Sequence, residues 1–277
     1  MIYMQAVEAP DRNTGLIKLH SDEDFEHMRV VGKMAAKTLD ALTPFVDVGV
    51  STDAIDQKAL EIMQDFGACP APLNYRGFRR SICTSVNHVV CHGIPGERYL
   101  KDGDIVNIDV TLFHNGWHGD HSRMYGVGSV PIRANRLMDV TYEAMKRGIE
   151  AVRPGATLGD IGAAIQTYAE AERMSVVRDF CGHGLGRIFH DAPNILHYGR
   201  AGEGLELKEG MFFTIEPMLN LGKQAVKILN DGWTAVTRDR SLSAQFEHSV
   251  GVTSTGVEIF TTSLAGLDTP HRKKDTA

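Results

Sequence analysis

Four cysteines in 277 residues are too few for a disulfide framework, and Cys69, Cys83, Cys91 and Cys181 form no CxxC pair. Free thiols are expected, with the cytosol as the default compartment. No run of about 18 apolar residues occurs, so no membrane span is expected. The opening MIYMQAVEAPDRN has no basic stretch leading into an apolar one, and no signal peptide is expected. Positive charge is also short. Lysine and arginine number 29 against 35 acids, a net −6, which excludes a bulk-charge grip on nucleic acid or an anionic membrane. HExxH, GxSxG and the Walker A pattern are all missing. Gly126 and Gly128 are too little for a dinucleotide fingerprint and read as a strand turn.

What remains is an ordinary globular composition, 43% hydrophobic and 23% charged, unusually supplied with glycine (28) and histidine (12). Its size fits one large domain or two at most. Ser21 and Asp24 cap a helix whose apolar positions Phe25, Met28, Val31, Ala35, Leu39 and Leu42 recur every three or four residues. A second helix starts near Ser51 and stops at Gly67. Residues 70–96 read as loops with short strands, and 104–113 as a strong strand. A third helix follows Pro131 to about Val152, and a fourth runs from Thr157 to about Met174. Strands are then predicted at 175–181, 211–216, 232–237, 245–253 and 256–261. The domain reading is an N-terminal extension (1–20), a catalytic unit (21–265) and a frayed tail (266–277).

The chain also resembles itself. LKDGDIVNID, ending at Asp109, aligns with LKEGMFFTIE, ending at Glu216. Asp120-His-Ser aligns with Glu247-His-Ser. His92 lies three residues before Pro95, and His190 three before Pro193. Kept in order, these matches predict a pseudo-two-fold fold of two half-domains, with related carboxylates meeting near the axis.

Asp109 and Glu216 each sit in an otherwise apolar strand. A lone buried carboxylate is costly and tends to be protonated. Pairing with an arginine or capping a turn would serve, but two acids at equivalent positions point to a shared cation. Asp120 and Glu247 add two more, and four converging acids repel unless a metal neutralises them. His183, between Gly182 and Gly184, is the candidate imidazole ligand. Four carboxylates and one imidazole are too oxygen-rich for structural zinc. They suit two divalent ions, manganese, iron or cobalt foremost, with zinc also admissible. Such a pair would generate a hydroxide for hydrolysis of a carbonyl or phosphoryl substrate. His92 and His190 are then free to hydrogen-bond a substrate carbonyl or leaving amide. His121 and His248, beside proposed ligands, are expected to support them; His114, His118 and His197 are expected at the surface or behind the ligands.

NYRGF (74–78), VVCHGIP (89–95), DGDIVNIDVT (102–111), HGD (118–120), CGHGLG (181–186), FTIEPM (213–218), DGWT (231–234) and RSLSAQFEHS (240–249) together resemble the type I methionine aminopeptidases. The resemblance spans about residues 20–262. It implies the α+β pita-bread fold, in which duplicated half-domains share a curved antiparallel sheet backed by helices. It implies removal of N-terminal methionine from nascent proteins and peptides, with a small second residue, by a metal-bridged hydroxide attacking the scissile carbonyl. Asp109 would bind one metal, Asp120 and Glu247 would bridge, and His183 and Glu216 would complete the other, with Glu216 also moving the proton. His92 would contact the scissile amide and His190 the carbonyl. Tyr75, Phe78, Cys83, Phe189 and Trp233 would form the methionine pocket. A cytoplasmic monomer acting on nascent chains, and so near the ribosome, is implied, although no ribosome-binding motif is visible.

Four positions depart from the pattern. Arg79 stands where proline is usual, His88 where glutamate is, His121 where threonine is common, and Pro72 where some members have cysteine. None is a proposed ligand. The rival readings are an X-Pro aminopeptidase or dipeptidase of the same fold, a silent pita-bread binding protein, and a metal-binding protein without catalysis. The first usually carries a large N-terminal domain. The second loses ligands that are all present here, and the third leaves His92 and His190 unexplained.

Overall fold

The computed structural model describes residues 3–5 and 15–272. Short strands β1 (Tyr3–Gln5) and β2 (Ile17–Leu19) pair in parallel. The first half follows as α1 (Asp22–Leu42), α2 (Thr52–Asp65), β3 (Cys69–Pro70), β4 (Cys83–Val86), β5 (Val89–Cys91), β6 (Ile105–His114) and β7 (Trp117–Gly126). The second half holds α3 (Ile132–Glu150), α4 (Leu158–Ala171), β8 (Ser175–Val176), β9 (Gly182–Gly184), β10 (Asp191–Ile195) and β11 (Phe212–Ile215). It ends with β12 (Met218–Asn220), β13 (Val226–Ile228), β14 (Ala235–Thr237), β15 (Ser243–Gln245), β16 (Glu247–Val252) and β17 (Val257–Ile259).

Three of the four α-helices begin at a side-chain cap. Ser21 with Asp24, and Thr157 with Asp160, form reciprocal capping boxes, and the Ser51 hydroxyl accepts from Ala54 N–H. All six apolar positions of the α1 stripe are buried. The larger ones stabilise the fold by about 1.5–3 kcal/mol each. They face β6 and β7, while α3 lies over β11, β12 and β15. Two main clusters result, one centred on α1, α2 and β6, the other on α3, α4 and β11.

Between the helices lies a nine-stranded sheet in the order β10-β9-β11-β16-β7-β6-β3, with β17 also on β16 and β4 also on β6. Every pairing in it is antiparallel. The repeated segments become β6 with β11 and β7 with β16. The halves join where β7 pairs β16, and there Ser122 faces Glu247 and His121 faces His248.

Two expectations need correction. The strand predicted at 175–181 is only Ser175–Val176, because the chain leaves its neighbour after Val177 N–H bonds Met218 C=O. Residues 266–272 do not fray. Backbone bonds tie His271 to Met124 and Gly126, and Asp268 lies against Arg123. The described part of the N-terminal extension packs on the second half. Ile17 joins the core of the second half, and Lys18 makes a buried ion pair with Asp191. Residues 273–277, and 1, 2 and 6–14, lie outside the described residues.

Candidate metal centre and substrate cavity

A cavity of about 330 Å³ opens over the centre of the sheet. Every residue singled out as a site residue lines it: Tyr75, Phe78, Cys83, His92, Asp109, Asp120, His183, Phe189, His190, Glu216, Trp233 and Glu247. The sheet register explains the convergence. Asp109 of β6 faces Ser122 of β7, and Asp120 faces Thr111, so the two acids are diagonal neighbours on one face. Glu247 enters opposite Ser122 from β16. Glu216 follows the end of β11, and His183 arrives on β9, the next strand.

Asp120, His183 and Glu247 each offer a ligand atom within 4.8 Å of the others. His183 Nε2 is 3.6 Å from Asp120 Oδ2 and 3.7 Å from Glu216 Oε1. Asp109 Oδ1 is buried without a hydrogen-bond partner. Such an orphaned carboxylate oxygen, beside three further acids, fits the chemistry of a bound divalent cation. Electrostatics agree. Burial, then the charges of Asp120 and Glu216, hold the Asp109 carboxyl far above its ordinary range. Burial followed by Asp120, Glu216 and Asp109 does the same to Glu247, and burial lifts Glu216 to about 7. Burial works against the His183 imidazolium, but Asp120 and Glu216 together raise it. Burial is the leading cause of each acid's shift, and the neighbouring carboxylates add to it.

The glycines around His183 make room for neighbouring backbone. A Cβ at Gly182 would stand 2.3 Å from Thr214 O, and one at Gly184 would stand 2.1 Å from Ala192 O. Only glycine lets β9 lie this close to its neighbours.

Several supporting residues escaped the sequence reading. Thr111 Oγ1 donates to Asp120 Oδ1 at 2.7 Å, and Thr214 Oγ1 to Glu216 Oε1 at 2.8 Å. Thr214 Oγ1 also accepts from His183 N–H. Gln245 Nε2 donates to Glu216 Oε2 at 3.2 Å. The signal was available, because each threonine stands two residues from a strand carboxylate and so shares its face. Arg76, Cys91, Asp179, Phe180 and Cys181 also line the cavity. His197 is buried and accepts the Glu216 N–H on Nε2, whereas His114 binds Gly67 C=O at the surface.

The mouth is aromatic. Phe78 meets Trp233 edge to face at 5.2 Å, Tyr75 meets Phe189 at 4.9 Å, and His92 lies edge-on to Phe180 and Trp233. His92 holds a left-handed backbone conformation with φ 56°, a strain of order 1 kcal/mol that the surrounding packing sustains. Cys83 is buried opposite Asp109, and burial pushes its thiol well up, so it offers the cavity a neutral wall.

Residues 26–254 match metallopeptidase family M24. A methionine aminopeptidase of Rickettsia prowazekii is 60% identical over 255 residues, which cover 92% of this chain and 98% of the relative. That of Escherichia coli K12 is 49% identical over 247 residues, covering 88% and 94%. The crystal structure of methionine aminopeptidase from Rickettsia prowazekii superposes with a TM-score of 0.89 at 60% identity, over 89% of this chain and all of that one. With a pita-bread sheet, a candidate metal-binding cluster and likeness to these relatives over most of its length, the chain belongs to metallopeptidase family M24, in its type I methionine aminopeptidase branch.

Proposed function

We propose that this chain releases N-terminal methionine from peptides and nascent proteins whose second residue is small. The observation that carries the reading is the conjunction, in one cavity, of a four-carboxylate and imidazole floor with an aromatic wall. Asp109, Asp120, His183, Glu216 and Glu247 would hold two divalent ions, for which manganese, iron and cobalt suit the donor set best and zinc also fits. When bound, the ions supply Lewis-acid polarisation of the scissile carbonyl and acidify a water. Glu216, at the cavity, takes up and delivers the proton that reaches the leaving amine. His190 donates to the carbonyl oxygen, and His92 orients the scissile amide. Tyr75, Phe78, Cys83, Phe189 and Trp233 receive the methionine side chain, whose flexible thioether suits an aromatic and thiol lining.

We take residues 21–265 as the catalytic unit, acting as a cytoplasmic monomer on nascent chains, and so near the ribosome. No helix among the described residues is long and apolar enough to cross a membrane. The X-Pro and silent-binder readings are not favoured, because relatives matching nearly the whole chain are methionine aminopeptidases.

The test is methionine release from Met-Gly- and Met-Ala-led peptides. Metal-stripped protein is given manganese, cobalt, iron or zinc in turn, with an X-Pro peptide alongside. Metal-dependent release from the methionine peptides alone is expected. Cleavage of the X-Pro peptide would overturn the pocket assignment. Metal binding without release from either would make the protein a binder.

A further inference from the structure

The seam between the half-domains sets the two copies of the repeat against each other. His121 faces His248, its counterpart in the other copy, and their rings stack 4.6 Å apart at 17°. Side chains alternate along each strand. Asp120 and Glu247 therefore share the cavity face, and His121, His248 and Arg123 share the opposite face, towards α1.

The two histidines make different bonds. His248 Nδ1 lies 2.8 Å from Thr261 Oγ1. His121 Nδ1 meets the backbone carbonyl of Glu247 instead. Arg123 decides what that contact is. Its guanidinium can only donate, and its Nε reaches His121 Nε2 at 3.0 Å. A ring nitrogen that accepts carries no proton, so the proton sits on Nδ1, which donates to the Glu247 carbonyl. Arg123 is itself held fast: it is 1% exposed, and its Nη1 donates to Asp40 Oδ1 at 2.5 Å. Its Nη2 lies 3.5 Å from Asp268 Oδ1 in the C-terminal segment, and Ser263 ties Asp40 and Asp268 together.

The geometry points to His121 as a positioning residue: its Nδ1–H, oriented by Arg123, fixes the Glu247 peptide and hence where the Glu247 carboxylate stands relative to Asp120. Asp120 has fixings of its own, because Ser249 Oγ donates to its carbonyl at 2.6 Å and Thr111 to its carboxylate. Among the described residues no side chain donates to the Glu247 carboxylate, so the hold on Glu247 comes through its backbone. His121 touches no reacting atom. The inference rests on the reading of the cavity as a divalent-metal centre.

The experiment is calorimetric titration of metal-free protein with Mn²⁺, paired with thermal unfolding of the same metal-free samples. His121→Ala is expected to weaken Mn²⁺ binding by about 10–100-fold, the usual effect of losing a group that orients a ligand. His121→Asn keeps an N–H at the δ position and is expected to bind within about threefold of the parent, whereas His121→Gln moves its amide outward and falls with the alanine variant. Arg123→Met weakens binding in the parent but adds nothing in the His121→Ala background, because both act through one bond. A merely structural role would lower the unfolding temperature of the variants and leave Mn²⁺ affinity unchanged, which overturns the inference. Equal affinity of the Asn and Gln variants also overturns it, and this comparison decides the matter if His121→Ala does not fold. A parent protein that binds no Mn²⁺ sinks the reading of the cavity itself, while a binding parent with unaltered variants sinks only the role of His121.

Discussion

The Tyr75 hydroxyl lies 3.1 Å from His190 Nδ1, and the two rings stack at 5.2 Å. Burial, with His183 and His92 nearby, pushes His190 down to about 2, so the ring is neutral at physiological pH. A hydroxyl donating to Nδ1 would leave the proton on Nε2, the state able to donate to a substrate carbonyl. Tyr75→Phe keeps the stacking and removes this control. Turnover (kcat) is expected to fall about tenfold while KM moves less than about threefold. Steady-state kinetics on a Met-Ala peptide measures both, and a change confined to KM would assign Tyr75 to the pocket alone.

Removing the imidazole proposed as a metal ligand should be severe. His183→Ala leaves Asp120, Glu216 and Glu247 in mutual repulsion and takes away a ligand atom. Methionine release is expected to fall by about 100-fold or more, since even outer groups around a metal are worth about 10–100-fold. Far-UV circular dichroism should be unchanged. Full activity in this variant would disprove the ligand assignment.

The ion pair between Lys18 and Asp191 has both side chains only 5% exposed and fastens β2 beside His190. Lys18→Met leaves the Asp191 charge buried and unpaired, a loss of about 3–5 kcal/mol. Urea unfolding should show that loss. Adding Asp191→Leu should recover most of it, because the stranded charge is then gone.

Acid sensitivity should follow from His20. It is buried, stacked on Phe212 at 4.1 Å, and burial holds its titration below 6.5 despite Asp24 at 3.4 Å. The folded chain thus refuses a proton that the unfolded chain accepts. Stability is lost as pH falls below 6.5, by at most about 1.4 kcal/mol per pH unit for this one group. His20→Phe should flatten part of the fall in unfolding temperature between pH 7 and 5. An unaltered slope would show that other groups carry the effect.

The helices were readable because their information is local. Ser21, Ser51 and Thr157 are caps a few residues from the groups they satisfy, and the α1 stripe needs only its own period. The carboxylates were readable for a different reason: Asp109 and Glu216 break apolar strands, and the repeat pairs them. What escaped depends on partners far along the chain. Lys18 finds Asp191 after 173 residues, and Arg123 finds Asp268 after 145. A polar C-terminal segment carries no periodic signal, so its hold on β7 through backbone bonds and Asp268 was invisible. Thr111 finds Asp120 only through the register of β6 and β7, whereas Thr214 stands two residues from its partner Glu216 and was within reach of the sequence.

The seam between β7 and β16 has a consequence for how such a cavity can arise. One half contributes Asp109 and Asp120, and the other His183, Glu216 and Glu247. Neither half alone holds enough donors for the site. A solitary half could assemble one only by pairing with a second copy of itself, at a concentration high enough to keep the pair together. Fusing the copies makes their meeting independent of concentration. It also frees each copy to change without its twin. His121 and His248 record that freedom: the same residue, at the same place in the repeat, is bonded to a carbonyl across the seam in one copy and to a neighbouring hydroxyl in the other.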